Sequence, residues 1–137
     1  MIYSEPRSIR DSQVLAALVA RMGALAGTVL STDAGWDELI AEADERLAEL
    51  DPNYTVLQIK EKFGGLRFYF HSTISDPQVQ EAMSTIVRDA EDKAERTCEM
   101  SGRDDGTLGR WNGHSWLRTL SVSLYGPQGF EPLKLKE

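Results

Sequence analysis

Apolar residues recur along the chain with two different periods, and the changes of period mark its elements. Val14, Leu15, Leu18, Val19, Met22 and Leu25 fall at helical spacing, so residues 11–26 read as a helix. Asp11 or Ser12 suits its start and Gly27 its end. Trp36, Leu39, Ile40, Ala43, Leu47 and Leu50 form a second stripe, which predicts a helix from a Thr32 or Asp33 cap to Leu50. Asp51-Pro52-Asn53 stops it. From Tyr54 to Lys62 the β-branched and aromatic residues predict a strand. Leu66, Phe68 and Phe70 then alternate with Arg67, Tyr69 and His71, which predicts a second strand with the first three on the core face. Gly64-Gly65 lies between the two runs. Glycine accepts the positive φ of tight hairpin turns, so this pair predicts the turn.

Ser75-Asp76-Pro77 opens a third helix, whose stripe of Val79, Met83, Ile86, Val87, Ala90 and Ala94 carries it to about Thr97. Residues 98–110 are rich in Gly and Asp and read as a loop or turn-rich finger. Trp116 to Tyr125 reads as a strand, and the tail from Gly126, with Pro127, Gly129 and Pro132, as irregular. The order α-α-β-β-α-β predicts one α+β domain over residues 1–137. It would be a short antiparallel sheet with a central Gly-Gly hairpin, packed against about three helices.

Composition agrees with that class. A chain of 137 residues buries roughly two-thirds of its unfolded surface and needs no covalent staple. Its 41% apolar and 27% charged residues are those of an ordinary globular domain. Cys98 is the sole cysteine, so an intramolecular disulfide is excluded, and a reducing, cytoplasmic setting is expected. The longest apolar run, residues 14–20, is broken by Arg21 and preceded by Glu5, Arg7, Arg10 and Asp11. It is too short for a membrane span or a secretory leader, so neither is expected.

Charge changes the picture more. The net charge is −7, and residues 33–53 hold eight acidic groups against Arg46, itself a net of −7. That balance disfavours sequence-independent binding to nucleic acid, which needs Lys and Arg to neutralise phosphates, and it disfavours an anionic membrane. A gathered negative field suits a basic protein partner. The candidate partner-binding residues are Asp37, Glu38, Glu42, Asp44, Glu45 and Glu49. The plainer alternative is a solvated helix face that keeps the chain soluble.

Candidate chemistry is sparse. His71 ends a strand and reads as a solvated edge residue. His114 lies between Trp111 and Trp116, a pair that would stack on a ligand or close a small satellite core. Neither histidine has a cysteine or a second histidine at metal-ligand spacing. Cys98 falls at the C-terminal end of a helix, where the dipole disfavours a thiolate. Neither a Gly-x-Ser-x-Gly elbow nor a phosphate loop is present. The pairs Asp44-Glu45 and Glu91-Asp92 sit on crowded helix faces rather than in a pocket that would shift their pKa values. No catalytic residue and no cofactor are expected, and the chain reads as something other than an enzyme. The sequence does not separate a binding role for Lys60, Lys62 and Arg67 from a role in flanking the hairpin.

Several stretches together carry a resemblance: Gly35-Trp36, residues 51–54, Gln58-Ile-Lys-Glu-Lys-Phe-Gly-Gly-Leu-Arg-Phe-Tyr69, Arg96-Thr-Cys-Glu-Met-Ser-Gly102 and Trp116-Leu-Arg-Thr-Leu120. Over residues 35–121 the chain resembles a family of small bacterial and phage proteins marked by a Lys-Glu-Lys-Phe-Gly-Gly-Leu-Arg-Phe-Tyr hairpin after an amphipathic helix. Residues 1–34 and the tail from 126 lie outside it. The resemblance implies a zinc knuckle, Cys-x-x-Cys-Gly with a later Thr-Leu-Cys-x-x-His. Cys98 matches its first ligand, but Ser101, Ser121 and Leu124 stand at the other three places. One thiol cannot hold a structural zinc, so no metal is expected, and packing of Trp111, Trp116 and Leu120 is expected to hold the finger instead.

The resemblance implies no activity. By analogy with small acidic bacterial inhibitors, the expected function is that of an immunity protein. It would neutralise a basic, nuclease-like toxin through its acidic surface. A phage-encoded anti-defence inhibitor shares that charge logic. A ligand-binding or enzymatic domain built on the Trp111–Trp116 segment is the third possibility.

Overall fold

The computed structural model describes residues 13–22 and 30–133. The expected helix caps at Asp11, Ser12 and Gly27, and the apolar Leu25, lie outside the described residues. In chain order the elements are α1 (Ala16–Met22), β1 (Leu30–Ser31), α2 (Asp37–Leu50), β2 (Thr55–Lys62), β3 (Gly65–His71), α3 (Pro77–Ala94), β4 (Gly106–Trp111), β5 (Leu117–Ser121), α4 (Val122–Tyr125) and β6 (Phe130–Pro132). This is the expected α+β class, built on two three-stranded sheets. No helix among the described residues is long and apolar enough to cross a membrane.

The first sheet has the order β1-β2-β3, with β1 parallel to β2 and β3 antiparallel to it. Ile59 faces Phe68 across the hairpin, and Glu61 faces Leu66. That register pairs Lys62 with Gly65, so the turn is Phe63-Gly64, one residue earlier than the Gly-Gly pair suggests. Burial of Ile59, Leu66 and Phe68 sets the register, because a one-residue slip of β3 against β2 would turn Leu66 and Phe68 away from the face that Ile59 buries. The core lies between this sheet and the helices. Trp36, Ile40, Leu47, Ile59 and Met83 are fully buried there, each worth about 1.5–3 kcal/mol of removed apolar surface. β3 is an edge strand, and the Glu91 carboxylate of α3 accepts from the Phe68 N–H on its open side, at 3.2 Å.

Asp76 caps α3, its side chain accepting from the Gln78 N–H at 2.9 Å, with Pro77 at the first position as expected. The helix ends at Ala94, three residues short of the expected Thr97.

The second sheet, order β5-β4-β6, occupies the region expected to be a loop, a single strand and an irregular tail. β4 was hidden by its glycines. Gly109 is required there, since a Cβ would stand 2.2 Å from the Glu131 carbonyl oxygen. β5 ends at Ser121, whose hydroxyl accepts from the Leu124 N–H and starts the short α4. Cys98, Trp111, Leu120 and Phe130 make a satellite core. Trp116, expected in it, is 38% exposed, and the Phe130 ring stands at 5.6 Å from Trp111 in its stead.

Candidate partner-binding face

α2 carries the acidic run, and its geometry divides the six candidate residues. At 100° per residue, Glu38, Glu42, Glu45 and Glu49 fall within an arc of about 60°. All four are exposed. They form a straight stripe about 16 Å long. Asp37 and Asp44 lie roughly 110–130° round the helix from that stripe, at the margin of the apolar face. They are 7% and 2% exposed, so neither presents its charge to a partner. This corrects the expectation that all six act as one surface.

Asp44 is engaged within the fold. Arg21 Nε donates to it at 3.0 Å, and the Tyr54 hydroxyl donates to the same oxygen. The trio ties α1, α2 and the start of β2 together. Burial, reinforced by the Asp44 carboxylate, pushes the Tyr54 hydroxyl far above its ordinary pKa. Asp37 sits in the first turn of α2, where a carboxylate favours the helix dipole.

At the N-terminal end of the stripe the surface becomes concave. A cleft of about 380 Å³ is lined by Ala34, Gly35, Asp37, Glu38, Leu39 and Glu42, and on its far side by Lys93, Thr97, Ser101, Gly102 and Asp104. Four of these side chains are acidic and one is basic. The cleft exists because two chain segments meet closely at its floor. The Gly35 N–H donates to the Glu99 carbonyl at 2.7 Å, and a Cβ on Gly35 would stand 2.2 Å from the Cys98 carbonyl oxygen. Lys93 reaches Glu42 at 3.7 Å. Both side chains are more than half exposed, so this pair holds at most about 1 kcal/mol.

A second ionic cluster went unseen in the sequence because its members are far apart in the chain. Arg118 of β5 is 1% exposed and donates to Asp33 at 2.6 Å and to Glu99 at 3.3 Å. Glu99 also accepts from the Asp33 N–H at 3.1 Å. Burial pushes the Glu99 carboxyl up to about 7, against the opposing pull of Arg118 and the Asp33 N–H. A carboxyl of that pKa suits proton transfer, but its two oxygens are held by Arg118 and the Asp33 N–H and it is 3% exposed. The cluster fastens the second sheet to the turn that leads into α2. Asp33, expected to cap the helix, makes no side-chain cap bond and serves Arg118 instead.

The remaining candidates scatter. His71 ends β3 and His114 lies in the connection between β4 and β5, both exposed. Cys98 is buried, and its sulfur accepts from the Ser101 N–H at 3.4 Å. Trp116 Nε1 donates to Glu61 at 3.3 Å, and the Arg118 guanidinium lies 5.1 Å from its ring. Among the described residues no group of three or more His, Cys, Asp or Glu is placed to hold a metal ion. Comparison with protein-family models, with curated proteins and with solved structures finds no match.

Proposed function

We propose that this chain is a protein-binding inhibitor that docks a basic partner on the glutamate stripe of α2, and that it acts as an immunity protein against a nuclease-like toxin. The observation that carries the reading is the stripe itself. Four carboxylates stand in one line, all in water, and the line runs into a cleft whose charged lining residues are four acidic and one basic. A nuclease must bind a row of phosphates with Lys and Arg. A row of carboxylates on a rigid helix offers those side chains a competing partner, and the cleft offers room for one long basic side chain. The fixed backbone keeps the ordering cost of docking low. The negative field also speeds encounter at low salt.

The experiment is co-expression with the gene beside the one encoding this chain. Wild type should protect cells from a toxic neighbour. A variant with Glu38, Glu42, Glu45 and Glu49 all changed to Gln should fold and fail to protect. Protection by that variant equal to wild type rejects the stripe as the inhibitory surface.

A further inference from the structure

The first hairpin has a residue at its tip that the fold does not ask for. Phe63 and Gly64 are the two central residues of the turn, with φ of 53° and 82°. Positive φ at both positions is the requirement of a type I′ turn, whose first place suits Asn, Asp or Gly. A bulky side chain in that region is strained. Burial does not compensate, because the Phe63 side chain is 70% exposed. Neither turn propensity nor packing accounts for a phenylalanine there.

The tip is nonetheless held firmly. The Gly64 N–H donates to the Glu61 carboxylate at 2.7 Å, and the Thr119 hydroxyl donates to the Gly64 carbonyl at 2.7 Å. A Cβ on Gly64 would stand 2.5 Å from Leu108, so the turn lies against the second sheet. The Phe63 ring is thus offered to solvent on a rigid support. The Glu61 carboxylate is turned to the Gly64 N–H and Trp116, and the charge on the outward face of the hairpin is cationic. Lys62 Nζ lies 5.7 Å from the Phe63 ring centroid. The hairpin register puts Thr55, Gln58, Lys60 and Lys62 on the outward face together with Arg67, Tyr69 and His71, and no carboxylate joins them. In a chain of net charge −7 this face is opposite in sign to α2.

We propose that Phe63 anchors a second docking surface, whose partner is a protein presenting an apolar pocket with an acidic rim. An aromatic ring on a clamped tip fits a concave site and binds with little backbone ordering cost. The net negative charge opposes a phosphate chain, so a protein is favoured over nucleic acid. The inference stands apart from the role given to α2.

Two measurements on the full chain test it. Phe63→Asn and Phe63→Gly should leave the thermal midpoint at or above that of wild type. A fall of more than about 5 °C would mean that the ring serves the fold, and would overturn the proposal. Selection of a random peptide library on the immobilised protein should enrich peptides that combine Asp or Glu with large apolar residues. These should bind Phe63→Asn at least about tenfold more weakly, and should bind the combined Glu42→Gln, Glu45→Gln, Glu49→Gln variant as they bind wild type. Equal binding by Phe63→Asn, or no acidic and apolar enrichment, overturns the proposal. So does oligo(dT) binding that is tighter than any selected peptide and is lost in Phe63→Asn, which would identify a nucleic-acid surface.

Discussion

Arg118 Nη2 lies 2.6 Å from Asp33 Oδ2, and through that contact β5 is joined to the turn that starts the acidic helix. Glu99 completes the cluster from the segment after α3. Removing the cation leaves two carboxylates in a space that water barely reaches. Arg118→Met should therefore cost about 3–5 kcal/mol at pH 7, the range for breaking a buried ion pair from one side. Urea unfolding checks this. A loss below about 1 kcal/mol would mean that the cluster adds nothing to the join between the sheets.

The same cluster gives stability a pH dependence of unusual sign. Glu99 titrates near 7 in the folded chain and, with an ordinary value of 4.5, takes up protons more readily folded than unfolded. Its contribution is full below about pH 4.5 and is lost as pH rises through about 7. Glu91, pushed up by burial, acts in the same direction. Asp51 and Asp105 act oppositely at lower pH. Burial pushes each up, but Thr73, Asn53 and Ser72 on Asp51, and Ser121 and Ser123 on Asp105, outweigh it and lower both pKa values. Their contributions are present above 3.8 and are lost as pH falls further. The urea midpoint should be higher at pH 5 than at pH 8, and Glu99→Gln should flatten the difference. Parallel pH profiles for the two proteins would contradict the assignment.

Tyr54→Phe separates the buried acids of α2 from the exposed ones. It deprives Asp44 of a donor and leaves the glutamate stripe untouched. Stability should fall by about 1–3 kcal/mol, the cost of a buried acceptor losing its partner, while partner affinity stays within twofold. A variant that keeps its stability but loses binding would place Asp44 on the docking surface after all.

Gly109→Ala tests the second sheet. The added methyl meets the Glu131 carbonyl oxygen and the Phe130 ring, so β6 must separate from β4. Amide exchange at Asn112 and Leu133, whose N–H groups donate to the Gly129 and Leu108 carbonyls across this pair, should accelerate, with a stability loss of about 1–3 kcal/mol. Unchanged protection at both amides would show that β6 tolerates the shift.

Legibility in the sequence followed periodicity. α2, α3 and the first hairpin declared themselves because one face of each is buried and the other wet, as Ile40, Met83 and Phe68 show. The second sheet did not, because Gly106 and Gly109 stand where neighbouring backbone leaves no room for a side chain, and glycine reads as a loop. The turn was misplaced by one residue since two glycines outweigh a phenylalanine by propensity, whereas pairing of Ile59 with Phe68 decides the register. Within the candidate site, charge counting found the helix but not its sidedness. A helical projection of residues 37–49 already sets Asp37 and Asp44 apart from the four glutamates. The Arg118 cluster had no local signal, since Asp33 and Arg118 are 85 residues apart.

The account stands most directly on affinity isolation from source cells, comparing wild type with the variant carrying Gln at positions 38, 42, 45 and 49, at low and at high salt. Wild type at low salt should retain a basic protein that is lost on the variant and lost again as salt rises, because screened carboxylates no longer hold it. Retention of the same proteins by both chains, regardless of salt, would contradict the claim that this stripe exists to dock a partner.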